Sequence, residues 1–159
     1  MLRRALLLPL IASSAPMRAE AGEVASSVIA VSVDVVSSCT VSASPINLAA
    51  DYRAAAAGTS DIAVRCAPNQ AFTVALDSGQ YAAGSVRRAF DASAQRYLTY
   101  DIYADSARSR RWGDLPTEVV PSTTDSVGLA VLKAYGSLAY GQEMWAGQYQ
   151  DMVVVTVNF

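Results

Sequence analysis

Two strand-like segments, one near each end of the 159-residue chain, constrain its fold more than any other feature. Apolar side chains that alternate along a strand project from one face of the pleat. In the C-terminal segment, residues 151–159, these side chains are Val153, Val155, Val157 and Phe159. In the N-terminal segment, upstream of the first cysteine, they are Ile29, Val31, Val33 and Val35. Soluble proteins normally blunt an apolar strand at a sheet edge. The pattern therefore predicts an all-β protein whose terminal strands pair with other chains.

The first 21 residues have the features of a secretory signal peptide. Arg3 and Arg4 supply positive charge, residues 5–15 are apolar, and small-residue cleavage sites follow at Ala19 and Ala21. The apolar run is too short to span a bilayer, which takes about 20 residues. A buried N-terminal helix is the alternative. We expect an exported chain.

The two cysteines, Cys39 and Cys66, are expected to form a disulfide, because export exposes them to an oxidising compartment. Closing this loop would stabilise the fold by roughly 3 to 4 kcal/mol. Two buried free thiols are the alternative. Cleavage after Ala21 would leave nine basic and thirteen acidic residues, a balance that gives no support for nucleic-acid binding.

Period-two alternation, interrupted by turn residues, recurs along the chain, and no segment shows a sustained helical period. The predicted strands are 28–36, 39–43, 61–66, 72–77, 97–104, 128–136 and 149–159. This number and spacing predict one domain with a β-sandwich of immunoglobulin type. Turns are predicted at 77–79, 82–84, 112–114 and 146–147. Residues 51–58 are ambiguous between a short helical turn and a loose connection.

The sequence offers little catalytic chemistry. It contains no histidine, which removes the usual general base and the commonest metal ligand. No Gly-rich phosphate loop opens a helix. Asp101, Asp105 and Asp114 lie close in sequence, but we interpret them as solvated strand-edge and turn residues rather than a carboxylate pair or a calcium loop. We therefore expect no enzyme, no cofactor and no bound metal.

Two other motifs leave alternatives open. Arg108, Arg110 and Arg111 precede Trp112, and we favour a solvated hairpin over an anion or glycan site, with cation–π stacking on Trp112 as a structural use. Trp145, in a predicted loop, either contacts a surface or a neighbouring subunit, or folds back as a lid on the core, which we favour.

The two terminal strands could be complementary. If residues 149–159 form the penultimate strand of a seven-stranded sandwich, the groove beside them lacks its last strand. A strand from another chain could fill it by main-chain pairing, and Ile29, Val31, Val33 and Val35 supply alternating side chains for its pockets. Head-to-tail contacts of this kind build a filament. Intramolecular pairing of the two terminal strands is an equally good interpretation of the pattern.

From Cys39 onward the chain resembles the spore coat protein U family, which includes subunits of archaic, Csu-type chaperone–usher pili. The most specific matching motif is Leu-Thr-Tyr-Asp-Ile-Tyr-Ala-Asp at 98–105. Other matches lie at 39–48, 62–66, 72–79, 87–88, 107–108, 112–114, 135–136, 141–142, 147–151 and 153–159. The segment 144–146 departs from the family pattern, which leaves the role of that loop open.

The resemblance implies an incomplete immunoglobulin-like pilin sandwich that lacks its final strand and carries an N-terminal donor strand. It implies a signal peptide at 1–21, a donor segment at 22–38 and a pilin domain at 39–159, with a Cys39–Cys66 bridge. The implied partners are other pilus subunits, a periplasmic chaperone and an outer-membrane usher, with no nucleic acid and no small-molecule substrate. The implied function is a structural pilus subunit, exported to the cell surface, that serves adhesion and biofilm formation. A tip adhesin and a self-complemented coat protein are the alternatives.

Overall fold

The computed structural model describes residues 27–33, 38–49, 56–139 and 141–159. These residues contain eight β-strands and no helix, so none of them forms a helix that could cross a bilayer. The signal peptide and Val35 lie outside the described residues, as do 51–55 of the ambiguous segment. The predicted all-β class is confirmed.

Five antiparallel strands form the larger sheet, in the order β1-β2-β7-β5-β4. Their bounds are Thr40–Ala43 for β1, Ala57–Arg65 for β2, Arg88–Asp91 for β4, Arg96–Tyr103 for β5 and Leu129–Leu138 for β7. The smaller sheet has the order β6-β3-β8, with bounds Val120–Thr123, Ala71–Leu76 and Val155–Asn158. All pairings are antiparallel, and the two sheets enclose a common core.

The core is built from the predicted inward rows of alternate residues. The buried members on β2, β3 and β5 are Ile62, Val64, Phe72, Val74, Leu76, Leu98 and Ile102. Trp112 joins them with 1% of its surface exposed, so the favoured interpretation of a solvated hairpin is wrong for this residue. Its indole N–H donates to the Val74 carbonyl at 2.9 Å, because a buried indole needs an acceptor.

A partly buried ion network lies beside Trp112 and corrects the interpretation of Asp101 and Arg111. Asp101 accepts hydrogen bonds from Arg87 at 2.7 Å and from Arg111 at 2.9 Å, and Arg111 also pairs with Glu118 at 2.6 Å. The Arg87 side chain is fully buried and also donates to the carbonyls of Leu76 and Trp112. Asp101 and Arg111 are therefore structural partners that tie the two sheets together, not solvated residues.

Six of the seven predicted strands are present with shifted ends, and β4 and β6 were not predicted. The exception is the N-terminal one: residues 27–33 form no strand, contrary to the prediction for 28–36. They belong to a separate N-terminal unit, Met1–Asp34, and their apolar side chains are exposed.

Candidate functional site

One edge of β8 pairs with β3, and its other edge faces an open groove. In an antiparallel strand, successive residues direct their backbone groups to opposite edges. The Asp77 N–H donates to the Val154 carbonyl at 3.1 Å. The Gln80 N–H donates to the Met152 carbonyl at 3.0 Å. The odd-numbered residues 153–157 therefore aim their N–H and C=O groups at the groove, where none of the described residues pairs with them.

The extended segment continues beyond β8 towards the N-terminus. The Asp77 carboxylate accepts the Val154 N–H at 2.9 Å and so prolongs the pairing past the end of β3. Gln150 and Phe90 exchange two backbone hydrogen bonds, of 2.9 and 3.0 Å. Residues 150–158 are thus held along one side, and their free edge is about 26 Å long at 3.3 Å per residue.

Residues 43–49 form the opposite wall of the groove. They follow β1, and the Ser44 N–H donates to the Asp61 carbonyl at 3.1 Å while the Ser44 hydroxyl accepts the Asp61 N–H at 3.0 Å. Pro45 has no N–H to offer an incoming strand. The edge of β8 is therefore the wall that can pair continuously.

A glycine pair allows this wall to lie directly on the larger sheet. Gly58 and Gly136 face each other across β2 and β7. A Cβ on Gly58 would lie 2.5 Å from the Asn47 carbonyl oxygen, and one on Gly136 would lie 2.8 Å from Ile46 Cγ2. Both contacts are closer than side chains allow, so the two glycines set how deeply residues 46–47 sit and hence the width of the groove.

The groove has a volume of about 900 Å³ and a mainly apolar floor. Floor residues from five strands are Ile62, Leu76, Ala89, Leu98, Ile102, Ala134 and Leu138. Polar groups also line the groove, among them a pair in which the Tyr100 hydroxyl donates to Asp151 Oδ2 at 2.6 Å. Burial, and then the hydrogen bond to Asp151, raise the pKa of Tyr100, so its hydroxyl remains a donor at physiological pH. The groove can therefore accommodate alternating apolar side chains from an extended segment.

The groove is narrow at one end. Cα atoms of β1 and β8 approach within 8 Å of each other. A strand inserted between two others needs about 9.5 Å between its neighbours, twice the normal spacing. These two strands must therefore separate at this end to admit a partner along the whole of β8.

The other end of the groove is closed by the loop 144–149. Met144 packs against the buried Ala56, Leu98 and Leu138. Trp145 is 55% exposed and stacks on the Arg96 guanidinium at 3.9 Å. The prediction that Trp145 folds back onto the core is wrong, because Met144 fills that place. The alternative, that Trp145 contacts a surface or a neighbouring subunit, stays a prediction.

The predicted edge residues occupy different environments. Val153 and Val155 line the groove, and Val157 packs against the core beyond the lining. Phe159 is 56% exposed and lies outside the groove, beside the edge of the smaller sheet. The sequence analysis did not assign Ile46 or Tyr100 to the groove. The alternation along β5 did predict that Tyr100 faces inward, and this was the signal that could have placed it there.

The remaining predicted residues are the donor-strand side chains and the two cysteines. Ile29, Val31 and Val33 are 78–85% exposed. Cys39 and Cys66 form a disulfide that joins the start of β1 to the end of β2. The bridge therefore fixes Cys39, which follows the predicted donor segment in sequence, to the end of β2.

Eight antiparallel strands in two sheets, with an unpaired strand edge along an apolar groove, define an immunoglobulin-like sandwich with an open flank. The chain belongs to the Spore Coat Protein U domain family, whose model matches residues 25–156. It is 34% identical over 109 residues to Protein U of Myxococcus xanthus. That match covers 64% of this chain and 60% of Protein U, so the chain spans well under two thirds of that relative's length.

The fold is similar to a solved structure from Acinetobacter baumannii. That structure is the chaperone–tip adhesion subunit pre-assembly complex, CsuC–CsuE, of archaic chaperone–usher Csu pili. The TM-score is 0.63 at 23% identity, and the match covers 79% of this chain and 40% of the other. The similarity shows the immunoglobulin-like fold expected from the sequence.

Proposed function

We propose that the chain is a structural subunit of an archaic chaperone–usher pilus that polymerises by donor-strand complementation. The observation that carries this proposal is the unpaired edge of β8 above an apolar groove. A free edge of this kind is a liability unless a partner strand covers it. Family membership and the similarity to a subunit held by a chaperone support the same function.

In this proposal the groove is filled twice. A periplasmic chaperone first lends a strand to the β8 edge, and at an outer-membrane usher the N-terminal segment of another subunit replaces it. Ile29, Val31, Val33 and Val35 of that segment enter the groove while its backbone pairs with residues 153–157. The subunit is exported through the periplasm to a surface fimbria that serves adhesion and biofilm formation. The role needs no catalysis, cofactor, nucleic acid or small-molecule substrate.

The test uses a chain that lacks residues 22–36, together with a synthetic peptide of residues 27–36. The deleted chain should bind a chaperone but fail to polymerise. Added peptide should raise its melting temperature, since a ligand at 100 times its Kd stabilises by about 2.7 kcal/mol. A peptide with Val31→Asp should not bind, because the charge would enter an apolar groove.

The matched control is a peptide with Ala30→Asp, which places the same charge on the opposite face of the strand. This peptide should stabilise the deleted chain nearly as well as the natural sequence. Polymerisation of the deleted chain, or equal behaviour of the two aspartate peptides, would show that the donor assignment is wrong. If the undeleted chain is a monomer with a cooperative melt and never polymerises, the self-complemented alternative replaces this proposal.

A further inference from the structure

If subunits polymerise as proposed, one end of each sandwich becomes the neighbour of the opposite end of the next copy. This inference rests on that proposed function. The disulfide end comprises Cys39, residues 66–70 and the turn 125–128. The loop end comprises Arg96 and residues 144–149. These ends lie at opposite ends of the strands, because β7 runs from Leu129 beside the turn to Leu138 beside the loop.

Chain length brings the disulfide end of one copy to the loop end of the next. A donor that pairs antiparallel to β8 gains the more stable ladder and places Val35 where β8 begins, beside the loop end. Four Cα steps separate Val35 from Cys39, a span of at most about 14 Å. Because the disulfide fixes Cys39 to Cys66, the rest of the disulfide end must also lie near the loop end of the next copy.

The disulfide end presents an apolar side chain on a rigid turn. Val127 is 76% exposed at the tip of the turn. The Asp125 carboxylate accepts the N–H groups of Val127 and Leu129, each at 2.9 Å. The Cys66 N–H donates to the Gly128 carbonyl at 3.0 Å, which joins the turn to the disulfide. A tip held in this way loses little conformational entropy when it is buried.

The loop end presents a fixed aromatic surface. Trp145 rests on Arg96, and its carbonyl accepts the Tyr149 hydroxyl at 3.2 Å. Gly147 packs so closely on Asp91 that a Cβ would lie 2.0 Å from Asp91 Oδ2, which holds the loop down. Tryptophan is enriched among the residues that contribute most to protein–protein binding.

We propose that, in the polymer, Val127 of one copy packs against Trp145 of the next copy. The occupant of the Trp145 surface is therefore a second copy of this chain, delivered by the short link between Val35 and Cys39. This contact would fix the angle between successive subunits, a role that the donor strand alone cannot perform because its link could still rotate.

The experiment is photo-crosslinking in filaments of the full chain that carry Trp145→p-benzoyl-phenylalanine. Copies grown in ¹⁴N and ¹⁵N are mixed before assembly, and mass spectrometry identifies the adducts after irradiation. We expect mixed-isotope adducts that join position 145 to the turn 125–128. The same photoreactive group at Leu115, which is 54% exposed elsewhere, should give no adduct with this turn.

A second measurement uses substitutions at exposed positions. Val127→Ser and Trp145→Ala should each accelerate heat dissociation of filaments roughly tenfold, the loss expected for one partly buried apolar side chain. The double variant should be no faster than the worse single variant, because both remove one contact. Val86→Ser, at another exposed turn valine, should have no effect.

Each outcome identifies what fails. Normal filaments whose adducts map away from the turn, or whose stability ignores both substitutions, overturn the contact and leave the proposed function standing. Loss of surface attachment by Trp145→Ala in filaments of normal stability would also overturn it and assign Trp145 to an external surface. If no SDS-resistant polymer forms from the unsubstituted chain, the proposed function fails, and this contact fails with it.

Discussion

The two sheets leave a gap at each flank of the sandwich. The chain closes the gap on one flank and leaves it open on the other. On the β6 flank, the chain crosses from the larger sheet to the smaller one and closes the gap. The backbone N–H of Trp112 donates to the Ile102 carbonyl at 2.9 Å, and the backbone N–H of Leu76 donates to the Gly113 carbonyl at 3.1 Å. On the β8 flank, none of the described residues pairs with the groove-facing backbone groups of residues 153–157, so the groove stays open. This open groove is the place that the proposed donor strand would fill.

The outer edges of the smaller sheet differ in the same way. Thr124 pairs with Gln70, so alternate residues of β6, including Pro121, face outward at its free edge. Pro121 has no N–H, and this blunts the edge against further pairing. The β8 edge has no such residue between 153 and 157. The comparison separates an edge that proline blunts from an edge that is open to pairing.

The largest expected effect separates the two tryptophans, which are the only two in the chain. Trp112→Ala should destabilise the domain by about 3 to 5 kcal/mol, because it removes the buried plug of the closed flank. Trp145→Ala should change the stability of the free chain by less than about 0.5 kcal/mol, since its ring is exposed. Urea denaturation of both variants measures the difference. Similar losses would contradict the distinction between a closed flank and an open one.

The next largest effect is expected when a proline, which blunts the β6 edge, is placed on the open β8 edge. Val155→Pro removes an N–H that faces the groove, so it breaks no backbone hydrogen bond of the free chain. Binding of the peptide 27–36 should weaken about 10- to 100-fold, because a carbonyl of the inserted strand loses its donor. Isothermal titration with the deleted chain measures this loss. Val154→Lys, on the outer face of the same strand, is the control and should bind normally.

A smaller effect is expected when Pro121, which blocks pairing at the β6 edge, is replaced. Pro121→Thr restores an outward N–H on β6 and should alter unfolding free energy by at most about 1 kcal/mol. The free chain should then gain a weak tendency to associate through β6, visible by analytical ultracentrifugation at high concentration. Unchanged association would show that Pro121 does not guard this edge.

Much of this contrast could be predicted from alternation, and some of it could not. Val153, Val155 and Ile102 follow period two, so their faces were predicted correctly. Trp112 was assigned to a turn because Gly113 follows it, and only the three-dimensional crossing of the chain shows that the indole enters the core. The strand β6 was missed because Pro121 argues against a strand unless the strand lies at an edge.

The ion network and the groove wall escaped prediction for another reason. Arg87 and Asp101 are far apart in sequence, and nothing local reveals that they meet across a buried interface. Ile46 reaches the groove because Gly58 and Gly136 leave space for it, a three-body relation between distant segments. Such sites depend on tertiary contacts, whereas strand faces depend on local pattern.

The smallest effect uses Tyr100, whose hydroxyl titrates within the open flank. Its pKa is raised in the folded chain, so the protonated form is favoured by folding. This stabilisation is complete below the unfolded pKa of about 10 and is lost as pH rises above it. The loss should reach only a few tenths of a kcal/mol at about pH 10.5, because partial exposure screens the group.

Tyr100→Phe should remove this part of the alkaline slope in urea titrations. Peptide 27–36 bound in the groove should bury Tyr100 further and therefore preserve stability to higher pH than in the free deleted chain. The difference in alkaline pH dependence of peptide binding between the natural chain and Tyr100→Phe therefore reports the open flank. A binding affinity that is equally pH-dependent in the Tyr100→Phe chain would place the titrating group elsewhere.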